Sequence, residues 1–338
     1  GRLKGRSTGG QVDSVDTARR PPVPTGCPVR AAGVGDDRAM KIRFAVSPSG
    51  AAVSLDRFAG FVTDAEGLGF DGVWLSDLPV GSTVDPVVGL SFAAAATTRI
   101  RLGANVVPLG RNPLLLAKSL AQVDQLSAGR LLLSFVVGLD QPGERQALGT
   151  AGMHRARLLE QALVLLRAWW AGETVDGDVG TDVVGHHVGG LASPSQPYQR
   201  PLEVWFGGRS SEALDRVGRV ADGWLGAAVT PAEAARAVPA IAAAAEAAGR
   251  RVDPEHFGMS VPYAADRPDP EVVTSLRRRR PDVDPAELLA VGPDGLRSLV
   301  SHYVAAGVSK FVVRPTRVGD DGRDALGALA DVVLPLQT

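Results

Sequence analysis

Residues 100–138, "IRLGANVVPLGRNPLLLAKSLAQVDQLSAGRLLLSFVVG", contain a short apolar run, a longer helical pattern and a second apolar run. Pro113 suits the first turn of a helix, where the missing N–H group of proline costs no hydrogen bond. The two apolar runs are continuous rather than alternating, which is typical of parallel strands covered on both faces. This stretch therefore predicts a strand–helix–strand unit of an α/β protein.

The same alternation extends in both directions from this unit. Eight apolar runs, each followed by a helical segment, are predicted to be strands: 41–46, 72–76, 100–107, 130–138, 202–206, 222–229, 257–264 and 309–315. Eight units favour a closed (β/α)8 TIM barrel over an open doubly wound sheet. No Gly-x-Gly-x-x-Gly motif follows the first strand, which also weakens the doubly wound alternative.

We therefore predict one (β/α)8 barrel over residues 40–338. Insertions are expected after strands 4 and 7, at 139–155 and 264–290, and residues 173–200 are expected to form an inserted loop or hairpin. Residues 1–39 are rich in Gly, Pro and Arg and have no apolar core. They are predicted to be a disordered extension or a cloning-derived segment.

The composition narrows the class of protein. The chain has 338 residues, 45% of them hydrophobic, and a formal net charge of −1, so it lacks the basic excess of a typical nucleic-acid-binding protein. The one basic run, Arg277 to Arg280, is interpreted as a solvated helix end.

The single cysteine, Cys27, excludes an internal disulfide. No apolar stretch reaches the roughly 20 residues needed to cross a bilayer, and we expect a cytoplasmic protein.

In a (β/α)8 barrel the functional residues lie at the C-terminal ends of the strands. The predicted ends carry few reactive side chains: the candidates are Ser76, Asp77, Asn105, Val106, Gly138, Gly207, Gly208, Arg209, Ser210 and Arg314. None of the five histidines lies at a predicted strand end, and no His/Asp/Glu cluster has metal-ligand spacing. This pattern favours a bound cofactor as the source of the chemistry, with a hydrolase that uses Asp77 and Asp140 as the alternative.

The segment "EVWFGGRSSEALDRV", residues 203–217, follows this rule most closely. Gly207 and Gly208 would let the backbone approach a ligand at the end of the fifth strand. The helix that follows would present unpaired N–H groups and the positive end of its dipole, which suit a phosphate. A turn that ends in a Ser-capped helix is the simpler interpretation.

Three stretches resemble the luciferase-like monooxygenase superfamily, and more narrowly its actinobacterial branch that uses the deazaflavin coenzyme F-420. They are "GFDGVWLSD" (69–77), the segment 99–138, and "QRPLEVWFGGRSSEALDRVGRVADGWLG" (199–226). The resemblance covers essentially all of residues 40–315 and implies a bacterial-luciferase-like barrel with a flavin or deazaflavin in its mouth.

The resemblance also implies roles for the candidate residues. Gly207 to Ser210 would contact the phosphate region of the cofactor. Ser76, Asn105, Val106 and Gly138 would frame its ring, and a non-prolyl cis peptide bond is expected at Asn105–Val106. Asp77 would lie beside the ring as the catalytic residue that orients or polarises it. Arg314 would meet an acidic tail of the cofactor or the substrate.

One departure from the family limits the reaction. Many deazaflavin-dependent dehydrogenases of this family have Ser-Asp-His at the second strand, whereas this chain has Leu78 in the place of the histidine. A leucine cannot accept a hydroxyl proton, so oxidation of a simple alcohol by that route is not expected. We predict hydride transfer between F-420 and a small organic substrate, with a homodimer as in many relatives. An FMN-dependent monooxygenase and a non-catalytic cofactor-binding protein are the alternatives.

Overall fold

The computed structural model describes residues 40–48, 55–81, 83–177, 188–192, 195–317 and 322–338. The segment 1–39, expected to be disordered, lies outside these residues. The barrel strands are β1 (Arg43–Val46), β2 (Gly72–Ser76), β3 (Arg101–Val106), β4 (Leu131–Phe135), β7 (Val204–Phe206), β8 (Gly223–Ala227), β9 (Phe257–Ala264) and β11 (Lys310–Pro315). Three further strands lie outside the barrel wall: β5 (Thr174–Gly177), β6 (Val188–Ala192) and β10 (Ala290–Val291).

Ten α-helices are seen within the described residues. They are α1 (Leu55–Leu68), α2 (Pro86–Ala96), α3 (Pro113–Leu126), α4 (Pro142–Ala147), α5 (Arg155–Trp170), α6 (Ser211–Val220), α7 (Pro231–Ala247), α8 (Pro270–Arg279), α9 (Gly292–Ala305) and α10 (Arg323–Val333). Local sequence sets several helix starts, because a capping side chain is followed directly by proline. Asn112 caps α3 in this way, and Thr230 and Glu233 form a capping box at α7.

The strands close into a parallel barrel. Going round the wall, the order is β1, β2, β3, β4, β7, β8, β9 and β11, and β11 pairs in parallel with β1. The pairing of β8 with β9 completes the ring. The predicted (β/α)8 barrel is therefore confirmed, and the doubly wound alternative was wrong. Each predicted strand is present; five end at the expected residue, and β3, β4 and β8 end one to three residues earlier.

The two faces of the strands build two separate apolar layers. The larger layer lies between the barrel wall and the helices and includes Phe44, Leu102 and Phe135. The smaller layer fills the inside of the barrel at mid-height, and we call this layer the waist. Its members are Ala45, Trp74, Leu132, Trp205, Leu225 and Val312.

Gly103 provides the space that the waist needs. A Cβ atom at this position would lie 2.0 Å from Cε3 of Trp74, which is far shorter than any non-bonded contact between two carbon atoms. The indole of Trp74 therefore lies directly over the β3 backbone. The waist is filled with packed side chains and is not a pore, as in other barrels of this type.

The expected insertions are present. β5 and β6 form an antiparallel hairpin between α5 and β7. α4 follows β4, and α8 follows β9 together with the short strand β10, which pairs with β9. No helix within the described ranges is long and apolar enough to span a membrane.

The interpretation of Arg277 to Arg280 as a solvated helix end was wrong for Arg280. This side chain is only 1% exposed. Its guanidinium donates to Glu233 at 2.7 Å, to Asp282 at 2.9 Å and to the carbonyl oxygen of Ala228 at 2.5 Å. Helix α8 ends at Arg279, and the side chain of Arg280 turns inward to these partners. A run of four arginines in the sequence does not show that one of them will be buried.

Candidate active site

The barrel mouth is lined by small and polar side chains. Because side chains alternate between the two faces of a strand, the inward position above the waist is two residues further along each strand. These positions hold Ser47, Ser76, Asn105, Ser134, Gly207, Ala227, Ser260 and Arg314. The hydroxyl of Ser134 is fully buried and has no hydrogen-bond partner among the described residues, so one inward polar atom of the mouth is not satisfied by this part of the protein.

Asp77 lies just beyond β2 and is hydrogen-bonded within the protein. Its Oδ2 atom accepts from the backbone N–H of Val107 at 3.0 Å and from Nη2 of Arg111 at 2.9 Å. Arg111 also donates to Asp85, the residue that caps α2, at 3.0 Å. Burial raises the pKa of Asp77, and the Val107 amide and the charge of Arg111 oppose that rise. The carboxylate thus fixes the ends of β2 and β3 relative to each other.

Asn105 and Val106 have different orientations. Asn105 is half-buried and occupies an inward position, whereas the side chain of Val106 packs between the barrel and the helices. The expected cis peptide bond between them was wrong, because the one cis bond within the described residues is Arg200–Pro201. Asn105 pairs in register with Ser76 on one side and Ser134 on the other. A regular ladder on both sides requires the ordinary trans backbone.

Gly138 has a positive φ of 76°, and its close neighbour is a side chain of the protein. A Cβ atom here would lie 2.5 Å from Oε1 of Glu144 on α4. The same carboxylate accepts from the backbone N–H of Leu139 at 2.6 Å. Glu144 is a buried acid beside the mouth that sequence reasoning missed, because its spacing from Gly138 matches no recognised motif.

The start of α6 shows the capped turn. The hydroxyl oxygen of Ser210 accepts from the N–H of Ala213 at 3.3 Å. Gly208 has a φ of 121°, and its carbonyl oxygen accepts from the indole N–H of Trp224 at 2.9 Å. Hydrogen bonds from its own backbone amide and from Ser210 lower the pKa of Glu212. The Glu212 carboxylate therefore uses donors that a phosphate would need, and the phosphate cradle stays a prediction.

The candidate residues divide into two groups around the mouth. Those after β2, β3, β4 and β7 lie on four neighbouring strands and so occupy one continuous arc. Arg314 ends β11, on the other side of the ring. A cavity of about 250 Å³ lies on that second side and is lined by Arg314, Ser260 and Arg279 of α8 among others.

The carboxylates proposed for a hydrolase do not form a pair. Asp77 is bound to Arg111, whereas the exposed Asp140 forms ion pairs with Arg145 and Arg155. Each carboxylate thus has its own arginine partner. Among the described residues, no group of three or more His, Cys, Asp and Glu side chains could hold a metal ion.

The described histidines lie away from the mouth positions. His154 caps α5, where Nδ1 accepts from the N–H of Arg157 at 3.3 Å. His256 lies before β9 at the opposite end of the barrel, tilted against Trp205. A cavity of about 400 Å³ opens at that end. Its charged lining is largely paired within the protein, and the N-terminal face of such barrels serves stability rather than chemistry.

Comparison with known proteins identifies relatives of the chain. A model of the family described as luciferase-like monooxygenase matches residues 20–292. The 5,10-methylenetetrahydromethanopterin reductase of Methanolobus tindarius is 30% identical over 210 residues, which cover 60% of this chain and 59% of that protein. The alignment therefore spans about three fifths of this curated relative.

Two solved structures share the fold. The coenzyme F-420-dependent tetrahydromethanopterin reductase from Methanopyrus kandleri superposes with a TM-score of 0.69 at 19% identity, covering 88% of this chain and 100% of that one. The oxygenating constituent of 3,6-diketocamphane monooxygenase from Pseudomonas putida, in complex with FMN, gives 0.68 at 15% identity, covering 88% and 99%. At these identities the likeness shows the fold alone.

Proposed function

Since the chain belongs to the luciferase-like monooxygenase family, we propose that it is an oxidoreductase that transfers hydride between coenzyme F-420 and a small organic substrate. The 30% identity to a 5,10-methylenetetrahydromethanopterin reductase, together with the fold shared with a tetrahydromethanopterin reductase described as coenzyme F-420-dependent, supports this choice of cofactor. FMN is the alternative, supported by a structure of the same fold that contains it.

The residues of the mouth fit a bound ring cofactor. Small and polar side chains occupy the inward positions above the filled waist, and among them the buried hydroxyl of Ser134 has no partner in the described part of the chain, so it could donate a hydrogen bond to a ligand that reaches it. This orphaned hydroxyl is the observation that carries the proposal, because a buried polar group without a partner costs about 1–3 kcal/mol. A ligand that bonds to it would recover that cost.

Each group of residues then has a stated task. Ser76, Asn105 and Gly138 would border the ring, and Gly207 to Ser210 would hold its phosphate at the start of α6. Asp77 would act through Arg111 and the Val107 amide, by keeping the ends of β2 and β3 in place. When bound, the deazaflavin supplies two-electron hydride transfer.

The surroundings of the mouth restrict the substrate. Leu78 is half-buried beside Asp77 and cannot accept a proton, and no histidine occupies an inward mouth position. The protein is therefore expected to reduce an acceptor such as an activated double bond or an imine rather than to oxidise an alcohol. The homodimer and the cytoplasmic location stay predictions.

Titration of the purified protein with F-420 and with FMN, followed by cofactor fluorescence, tests the proposal. Binding of F-420 without FMN binding is the expected result. Binding of FMN alone would instead favour the monooxygenase, and binding of neither would overturn both.

Two buried serines make a matched pair of variants: Ser134 in β4 and Ser127, which follows α3. Ser134→Ala removes the orphaned hydroxyl, so we expect F-420 binding to weaken about tenfold with little loss of stability. Ser127→Ala removes a hydroxyl that donates to the carbonyl oxygen of Asp124 at 3.2 Å. That control should lower stability and leave F-420 binding unchanged. Equal F-420 affinity in both variants would contradict the role of Ser134.

A further inference from the structure

The second side of the mouth contains two arginines for which the described residues provide no acidic partner. Arg314 ends β11, and Arg279 lies in the last turn of α8; both line the cavity of about 250 Å³. Within the described part of the chain, neither guanidinium forms an ion pair. The hydroxyl-bearing residues Ser260, Ser275 and Thr316 complete the polar part of the lining.

The neighbouring Arg280 shows that this lack of partners is local. Arg280 is fully buried and is neutralised by Glu233 and Asp282. Arg279 and Arg314 are exposed to solvent and line the cavity. Packing against the surrounding protein, followed by repulsion from Arg279, lowers the pKa of Arg314, and such packing, followed by repulsion from Arg209, lowers that of Arg279.

An arginine in a protein keeps its charge, so the repulsion between Arg279 and Arg314 would be relieved by a bound anion. The guanidinium fork matches the oxygens of a carboxylate or a phosphate. The cavity therefore has the charge and the donors for an oxyanion, and none of its described lining residues carries a carboxylate.

The pair follows other strands than the residues that would border the cofactor ring, although Arg279 is close enough to Arg209 for the two charges to repel each other. The residues assigned to the ring and its phosphate follow β2, β3, β4 and β7, whereas Arg314 follows β11 and Arg279 belongs to the insertion after β9. A cofactor held along the first arc would leave the second side of the mouth to the substrate.

We propose that Arg279 and Arg314 form a clamp for an oxyanion group of the substrate. The substrate class is then a small organic carboxylate or phosphate, held by its anionic end while its reacting end faces the cofactor. This assignment rests on the proposed function for the identity of the reaction, but the anion site itself does not.

Inorganic phosphate is the probe for the site, and its binding is measured by ³¹P NMR titration at fixed ionic strength. Arg314→Gln and Arg279→Gln should each weaken phosphate binding about tenfold or more. Arg314→Lys keeps the charge but loses the fork, so it should bind with intermediate affinity. Arg278→Gln is the control: Arg278 is an exposed neighbour of Arg279 that is not among the cavity-lining residues, so this variant should bind like the wild-type protein.

A second titration compares F-420 with its deazaflavin core lacking the phosphorylated tail. Unchanged F-420 affinity in Arg314→Gln and Arg279→Gln, with phosphate binding lost, supports a substrate site. Weaker binding of F-420 but not of the core would show that the clamp holds the cofactor tail and would overturn the assignment to substrate. Equal phosphate binding in all variants would overturn the site itself. Loss of phosphate binding in a protein that never binds F-420 would support the anion site and overturn the proposed function alone.

Discussion

At the level of single residues, Asp77 shows how a strand-end acid can serve the site without touching protons of the substrate. One of its oxygens accepts from both the Val107 amide and Arg111. Arg111 in turn reaches Asp85 and so connects α2 to the same cluster. A carboxylate held in this way is a positioning group for the mouth.

Asp77→Asn is expected to lower the free energy of unfolding by about 1–3 kcal/mol, because it leaves the buried part of Arg111 short of a charged partner. Asp140→Asn is the matched control: Asp140 is 73% exposed, and its loss should change stability by at most about 0.5 kcal/mol. Urea unfolding of both variants measures the difference. Equal losses would show that the Asp77 cluster is not a structural unit.

At the level of elements, the turn from β7 into α6 places two adjacent glycines under different constraints. Gly208 has a positive φ, and a Cβ atom there would lie 2.6 Å from Cβ of Ala213. At Gly207 the nearest atom to a Cβ would be Cγ1 of Val136 at 3.2 Å, and the added methyl would face the mouth. The turn requires Gly208, whereas Gly207 is the position at which a ligand would approach the backbone if the phosphate cradle exists.

We therefore expect Gly208→Ala to destabilise the fold by about 1–3 kcal/mol, through strain and the clash with α6. Gly207→Ala should cost little stability but should weaken cofactor binding, since its methyl group occupies the space beside the proposed phosphate site. Thermal unfolding and F-420 titration of the two variants separate these effects. A Gly207→Ala protein that binds F-420 like wild type would argue against the cradle.

The sequence predicts those features that depend on residues close together along the chain, and it does not predict contacts between distant residues. Continuous apolar runs identified the eight strands, because a strand covered on both faces carries that pattern by itself. The same pattern hides which residues point into the barrel, so Ser134 could not be singled out. The contacts of Arg280 with Glu233 and of Gly138 with Glu144 join separate elements, and no local spacing encodes them.

For the whole molecule, the packed waist separates the two ends of the barrel. Trp74 and Trp205 cross the interior below the mouth, and the absence of a side chain at Gly103 allows the first of them to fit. The waist therefore supports the floor on which a ligand would lie, and its packing links the stability of the barrel to the shape of the site.

Gly103→Ala should destabilise the protein by about 1–3 kcal/mol or more, because the new methyl group must displace Trp74. Gly60→Ala is the contrasting variant, since a Cβ atom in the middle of α1 would meet no atom within 4 Å. It should stabilise the protein by about 0.5–1 kcal/mol through helix propensity. In denaturant unfolding, we expect the two substitutions to change the free energy of unfolding in opposite directions. A Gly103→Ala protein as stable as the wild type would mean that the waist is loosely packed.

The closure of the wall by β1 and β11 has a consequence for how the protein is made. These strands come from opposite ends of the described chain, so the edge of β1 stays unpaired on the ribosome until the last strand has emerged. Unpaired edges invite association with other chains, and chaperone protection would matter most in this interval. Arg314 lies on β11, so the proposed anion side of the mouth is completed only after this strand has emerged.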